Sequence, residues 1–181
     1  MEEEKVIKFY RSNGKYGCFS NLYPCEVEVD GIKFKSSEHA YQYAKANDPI
    51  IKQYIKDAPT PALACIVGHG LFPWMVVKDW NKLKVDRMRD VLYAKFEEGD
   101  LFGELMATAD YELIEDSKND SFWGCGKDGK GQNMLGKLLM EIREEFKYDA
   151  QMEKYDPDED VYSEEEITAE DDYNEAQFGY D

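Results

Sequence analysis

Cysteine and histidine are scarce in this chain of 181 residues, with four of the first and two of the second. Cys18, Cys25, Cys65 and Cys125 form no CxxC pair, and His39 and His69 show no spacing of the metal-ligand kind. No metal and no cofactor is expected. Long hydrophobic runs are lacking too: nowhere do about eighteen apolar residues follow one another. The opening MEEEKVIKFY has neither the basic region nor the apolar stretch of a signal peptide. The expectation is a cytoplasmic protein with reduced thiols and no membrane segment.

Basic residues are outnumbered, 22 Lys and Arg against 39 Asp and Glu, for a formal net charge of -17. The imbalance is local. Residues 148–181 hold 14 of the acids and one base, which leaves residues 1–147 at -4. Such a body lacks the clustered cations that a broad footprint on duplex nucleic acid requires. A small anionic ligand or a single nucleotide stays open. At this length one folded domain is expected, over residues 1–147. The acidic remainder, poor in branched aliphatics, is expected to be disordered, because it cannot bury enough apolar surface to offset the entropy of ordering. Tyr155, Tyr162, Tyr173, Phe178 and Tyr180 recur through it, so the alternative is an acidic and aromatic tail that docks on a protein partner or on its own body.

Residues 6–35 alternate turn signals with short β-type runs at 6–10, 26–29 and 32–35, and Asp30-Gly31 between the last two signals a hairpin. Ser36 or Ser37 caps a helix running to about Asn47, Pro49 starts a second, and Thr60-Pro61 starts a third that ends at Gly68. Trp80 to Glu97 reads as the longest helix, with Val85, Met88, Leu92 and Phe96 on one stripe opposite Lys84, Arg87 and Lys95. A final helix carries Leu135, Leu138, Leu139, Ile142 and Phe146 inward. Both stripes are core faces. The fold class expected is α+β, mainly helical with a small hairpin or sheet.

Chemistry concentrates in two places. The run NDSFWGCGKDGKGQNMLGKLLM, residues 119–140, sets Asp120, Trp123, Asp128 and Asn133 among glycines ahead of the last helix. A loop of that kind lets backbone approach an anion or a sugar closely, and Trp123 is either a stacking face or a core anchor. Glu38 lies at a helix start, where free N–H groups and the helix dipole favour the carboxylate. It is either a capping charge or a general base toward water.

Four stretches in one order carry a resemblance. They are FY at Phe9 and Tyr10 with YGxFSN from Tyr16 to Asn21; SEHxxQ from Ser37 to Gln42 with Lys45 following; DW at Asp79 and Trp80; and NDxFWGxGxDGxGxNxLGxLLMExR from Asn119 to Arg143. Together they resemble the NADAR superfamily and its YbiA-like members, which include riboflavin-intermediate N-glycosidases. The resemblance spans about residues 7–146. It implies a single YbiA-like domain that hydrolyses an N-glycosidic bond between ribose and a base-like group, on phosphorylated riboflavin precursors or on ADP-ribosylated nucleotides or nucleic acid. It implies Glu38 as the leading catalytic residue, with Asp120 as a second acid. The implied substrate-binding set is Phe19, Asn21, His39, Gln42, Trp80, Trp123, Gly124, Asp128 and Asn133.

The residue types suit such a reaction. Breaking a ribose C1–N bond passes through an oxocarbenium-like centre that a carboxylate near C1 stabilises, as in O-glycosidases. The leaving base asks for a proton, from His39, a lysine or a protonated acid. Trp80 and Trp123 can sandwich a heterocycle, and Asn21 and Asn133 can bind ribose hydroxyls. One departure stands out: many relatives carry an arginine after the glycine that ends the third helix and another before the Asp-Trp pair, whereas GHGLFPWM at 68–75 has neither. Arg11, Lys45, Lys78, Lys82 and a protonated His69 are the remaining candidates for phosphate. The rival of another class is a non-catalytic ADP-ribose or nucleotide-binding module, in which Glu38 holds a ribose hydroxyl; a third reading makes the acidic tail the functional end.

Overall fold

The computed structural model describes residues 5–154. Strand β1 (Val6–Phe9) is followed by β2 (Val27–Val29) and β3 (Ile32–Phe34). Helices α1 (Ser37–Lys45), α2 (Pro49–Asp57), α3 (Pro61–His69), α4 (Trp80–Phe96) and α5 (Gly99–Met106) come next, then β4 (Glu112–Glu115) and α6 (Met134–Met152). The architecture is the mainly helical α+β one expected, with its strands in two separate pairs. No described helix is long and apolar enough to cross a membrane.

Local chemistry accounts for most boundaries. Asp30 and Gly31 both take positive φ, 53° and 72°, the geometry of a tight hairpin turn between β2 and β3. Ser36 caps α1 by accepting from the His39 N–H, Asp48 caps α2, and Thr60 caps α3, with proline at the first position of the latter two. Helix α3 does not stop at Gly68 but runs on to His69. Gly68 is there for packing rather than termination: a Cβ on it would sit 1.9 Å from Gln42 Oε1 of α1.

The main core joins Ile7, Phe9 and Leu113 of the β1–β4 pair to Met88, Leu92 and Phe96 of α4, and to Leu135, Leu138, Leu139, Ile142 and Phe146 of α6. On α4 one residue departs from the expected stripe. Lys95 is buried, not solvent-facing, at 3% exposure. Its Nζ donates to the Ser20 carbonyl at 2.9 Å and lies 5.0 Å from the Phe96 ring centroid. Burial pulls its pKa down to about 8. A lysine so placed pins the 17–20 segment, which precedes α1, onto α4.

Two elements went unread in the sequence, α5 and β4. Strand β4 pairs in parallel with β1, Val6 opposite Glu112 and Phe9 opposite Glu115. Helix α6, at 19 residues, exceeds the 17 of α4 and continues through Met152, past the boundary expected at 147. No glycine or proline interrupts Tyr148–Met152, so nothing local ends the helix there. The rest of the acidic tail, residues 155–181, lies outside the described residues.

Helix α6 meets β4 at a single point of very close approach. A Cβ on Gly136 would fall 2.0 Å from the Leu113 carbonyl oxygen, a backbone atom with nowhere to move. Gly136→Ala is therefore expected to lower stability by about 1–3 kcal/mol, read by urea unfolding. A change within 0.5 kcal/mol, on the order of a neutral surface substitution, would contradict this packing.

Candidate active site

Helix α1 carries the first functional group inward because Ser36 caps it and the Glu38 amide donates to the Asn21 carbonyl at 3.1 Å. Glu38 is consequently buried, at 7% exposure. Its Oε1 accepts from Gln42 Nε2 at 2.8 Å, one turn along, and the Cys65 thiol of α3 is near enough to favour the ionised carboxyl. His69 and Lys45 add favourable charge. Burial still outweighs these contacts and holds the carboxyl above the ordinary glutamate range, contrary to the expectation from the helix dipole alone. The Cys65 thiol, buried beside that charge, is pushed up to about 12.

Glu38 opens into a chamber of about 140 Å³. Asn21, Gln42, Cys65, Asp120 and Trp123 share its wall, with Tyr10 and Glu115 at the carboxyl ends of β1 and β4. Glu115 is a functional candidate that the sequence reading missed. Asn133 holds it in place from the α6 side: Asn133 Oδ1 accepts from the Glu115 N–H at 2.9 Å, and Nδ2 donates to the Leu113 carbonyl at 2.8 Å. Burial, and after it the charges of Asp120 and Glu38, raise the Glu115 carboxyl to about 7. Four buried side-chain oxygens among the described residues lack a partner, and three of them, Asn21 Oδ1, Gln42 Oε1 and Glu115 Oε2, belong to residues lining this chamber. Such orphans cost stability unless a ligand or solvent binds them, so they mark a polar binding site.

An outer cleft of about 670 Å³ adjoins the chamber, and Tyr41, Gln42, His69, Asp120 and Trp123 line both. Lys45, Lys78, Lys82 and Lys84 give the cleft a cationic wall, and Trp80 gives it an aromatic one. Tyr41 organises the aromatics: its ring packs between the indoles of Trp123 and Trp80, with centroids 5.6 and 5.2 Å away. Burial raises the phenol, which therefore stays protonated.

The structure thus gathers Glu38, Asp120, Asn21, Gln42, Trp80 and Trp123 from the expected set. Asp120 also shapes its own loop, with Oδ1 accepting from the N–H groups of Phe122 and Trp123 at 2.8 Å each. Five expected residues line neither cavity. Phe19 is a core ring between Phe9 and Phe96. His39 is fully buried, its ring held between the Ser36 hydroxyl at 2.7 Å and the Ala58 carbonyl at 3.1 Å, and burial keeps it neutral. Both of its ring nitrogens are engaged within the protein. Gly124 packs against β4, where a Cβ would stand 2.9 Å from the Glu115 carbonyl. Asp128 is exposed and closes a turn on the Lys130 N–H. Asn133 spends its amide on the β4 backbone instead of a ribose. Arg11 lies away from both cavities as well.

Comparison with known proteins gives a consistent result. The model of the family described as the NADAR domain matches residues 8–147. The N-glycosidase YbiA of Escherichia coli is 38% identical over 145 residues, covering 80% of this chain and 90% of that protein. An N-glycosidase of Nostoc punctiforme is 37% identical, over 78% of this chain and 93% of its own length. A riboflavin biosynthesis protein of Vibrio vulnificus is 38% identical, and the match spans 39% of that longer protein. The NMR structure of Escherichia coli YbiA superposes with a TM-score of 0.75 at 37% identity, over 83% of this chain and 90% of that one.

The raised carboxyl of Glu115 has a consequence for stability. Held at about 7 when folded against an ordinary 4.5, it binds its proton more tightly in the folded protein. Its contribution is full below 4.5 and is lost as pH rises through about 7. Glu115→Gln should match the parent near pH 4 and exceed it near pH 8, by up to roughly 3 kcal/mol in urea unfolding. An equal effect at both pH values would mean that no ionisation penalty resides at this side chain.

Proposed function

Because this chain belongs to the NADAR family, we propose that its inner chamber hydrolyses the bond between ribose C1 and the nitrogen of a base-like group. The observation that carries the proposal is the buried Glu38 carboxyl, hydrogen-bonded by Gln42, in a chamber where Asn21 Oδ1, Gln42 Oε1 and Glu115 Oε2 are buried without a protein partner. Several relatives bear the name N-glycosidase, and others riboflavin biosynthesis protein. The substrate class they suggest is a small ribosylated riboflavin intermediate.

The chemistry runs from these side chains. As the C1–N bond lengthens, positive charge grows on C1 and the ring oxygen, and the Glu38 carboxylate stabilises it in a site of low dielectric. Water entering at C1 passes a proton to Glu38. Gln42 holds the carboxylate in position, and Cys65, His69 and Lys45 favour its ionised form. Trp80 and Trp123, both packed on Tyr41, offer flat faces to the base.

Phosphate on the substrate is assigned to the outer cleft. Lys45, Lys78, Lys82 and Lys84 there stand in for the arginines that GHGLFPWM lacks. A lysine binds phosphate as a point charge instead of a fork, which gives less geometric selection. The cleft is within the size range of sites for drug-sized ligands, larger than one phosphate needs, and that favours an ADP-ribosyl substrate as the second reading. The body, residues 1–147, is assigned the catalytic function in the cytoplasm, and the acidic run beyond it, contact with a protein partner.

The test is release of free base from a ribosylaminopyrimidine 5′-phosphate, NAD, ADP-ribose and ADP-ribosylated guanine nucleotides by the purified protein and by Glu38→Gln. The parent should cleave one of these, and the folded variant should bind it yet turn over roughly 10²–10⁴-fold more slowly. A variant as fast as the parent removes Glu38 from the mechanism. A parent that binds one of them and cleaves none is a binding module.

A further inference from the structure

A departing base needs a proton, and most groups near the chamber are already committed. His39 is sequestered between Ser36 and Ala58, away from both cavities. Lys45 donates to the Gly68 carbonyl at 2.8 Å. Asp120 has one oxygen bound by two backbone N–H groups. Glu38 is engaged by Gln42 and Cys65. Glu115 alone among the chamber carboxyls has no hydrogen-bonded partner for a buried oxygen.

Resting on the glycosidase reading above, we propose that Glu115 is the proton donor to the leaving base and the catalytic partner of Glu38. Its backbone is fully spent: the N–H goes to Asn133, and the carbonyl accepts from the Cys125 N–H at 2.9 Å. That leaves the side chain as its contribution to the chamber wall. Glu115 also sits at the carboxyl end of a strand paired with β1, a rigid mount for a group that must meet a reacting atom.

The charges that act on it agree with the role. Asp120, from the loop, and Glu38, from α1, are both negative, and each makes ionisation of Glu115 harder. Tyr10, Tyr41, Cys65 and His69 are the other titratable groups on the wall. No described cation is among the causes acting on Glu115, whereas Glu38 feels Lys45 and His69. Burial raises both carboxyls, and their charged neighbours differ: Lys45 and His69 favour ionisation of Glu38 while two negative charges oppose that of Glu115, which assigns the leaving-group proton to Glu115. The step then balances. The C1–N pair goes to nitrogen, which takes the Glu115 proton; the oxygen of water bonds C1, and its proton goes to Glu38; proton return from Glu38 to Glu115 through solvent restores the site.

The experiment compares two leaving groups, the aminopyrimidine of a ribosylaminopyrimidine 5′-phosphate and the nitrophenolate of 4-nitrophenyl ribofuranoside 5-phosphate, which departs without a proton. Glu115→Gln should lower kcat on the first by roughly 10²–10⁴-fold and on the second by less than about tenfold. Glu38→Gln should lower both. A difference infrared titration of parent against Glu115→Gln should show a protonated carboxyl near pH 6 that is lost with a midpoint of about 7. Equal losses on the two substrates in Glu115→Gln, no loss on the first, or no such band near pH 6 each overturns the assignment while leaving the glycosidase standing. A parent that cleaves neither substrate removes the glycosidase reading, and the role of Glu115 with it.

Discussion

Three carboxyl groups, Glu38, Glu115 and Asp120, share the wall of one small chamber, and burial there holds the first two above the ordinary carboxylate range. Where each proton resides is decided by what the rest of the fold supplies. Helix α1 brings Gln42 to Glu38 one turn along, and α3 brings Cys65. The loop before α6 gives Asp120 two backbone N–H groups. Strand β4 gives Glu115 none of these. In the proposed mechanism this asymmetry of hydrogen bonding and neighbouring charge divides the roles of base and acid between Glu38 and Glu115.

Much of the surrounding structure serves to hold these groups apart and in register. Gly68 leaves room for the Gln42 amide, and Gly136 leaves room for β4 against α6. Asn133, at a positive φ of 52°, clamps the β4 backbone on either side of Ile114. Lys95 is an expensive residue to bury, yet from inside the core it fixes the Ser20 carbonyl, and Asn21 next to it receives the amide of Glu38. The segment FSN thus acts as a strap between α4 and α1. These contacts explain why several residues that look like ligand groups in the sequence are structural in the fold.

The sequence was most legible where local physics decides. Asp30-Gly31 made its hairpin, Ser36, Asp48 and Thr60 capped their helices, and the stripe of α6 faced the core. It was least legible where long-range packing decides. Strand β4 is four residues long, too short for an alternating pattern to register, and its pairing partner lies more than a hundred residues away. Glu115 was hidden for the same reason: the only local signal was an acid ending ELIE just before the glycine-rich loop. His39 and Asn133 carry polar groups that suit a ligand, and only the tertiary contacts show that those groups are consumed internally. Tyr41 fell at an unspecified position of SEHxxQ and was given no role, although its ring packs against both tryptophans.

In the proposed mechanism the cationic outer cleft takes the phosphate and the acidic inner chamber the anomeric carbon. The most direct test of that arrangement is a crystal structure of Glu38→Gln with intact ribosylaminopyrimidine 5′-phosphate. The account places C1 within about 4 Å of the residue-38 amide, in near-attack range, with the base nitrogen facing Glu115 and the phosphate among Lys45, Lys78 and Lys82. A substrate seated with its ribose in the outer cleft and the inner chamber filled by solvent would contradict it.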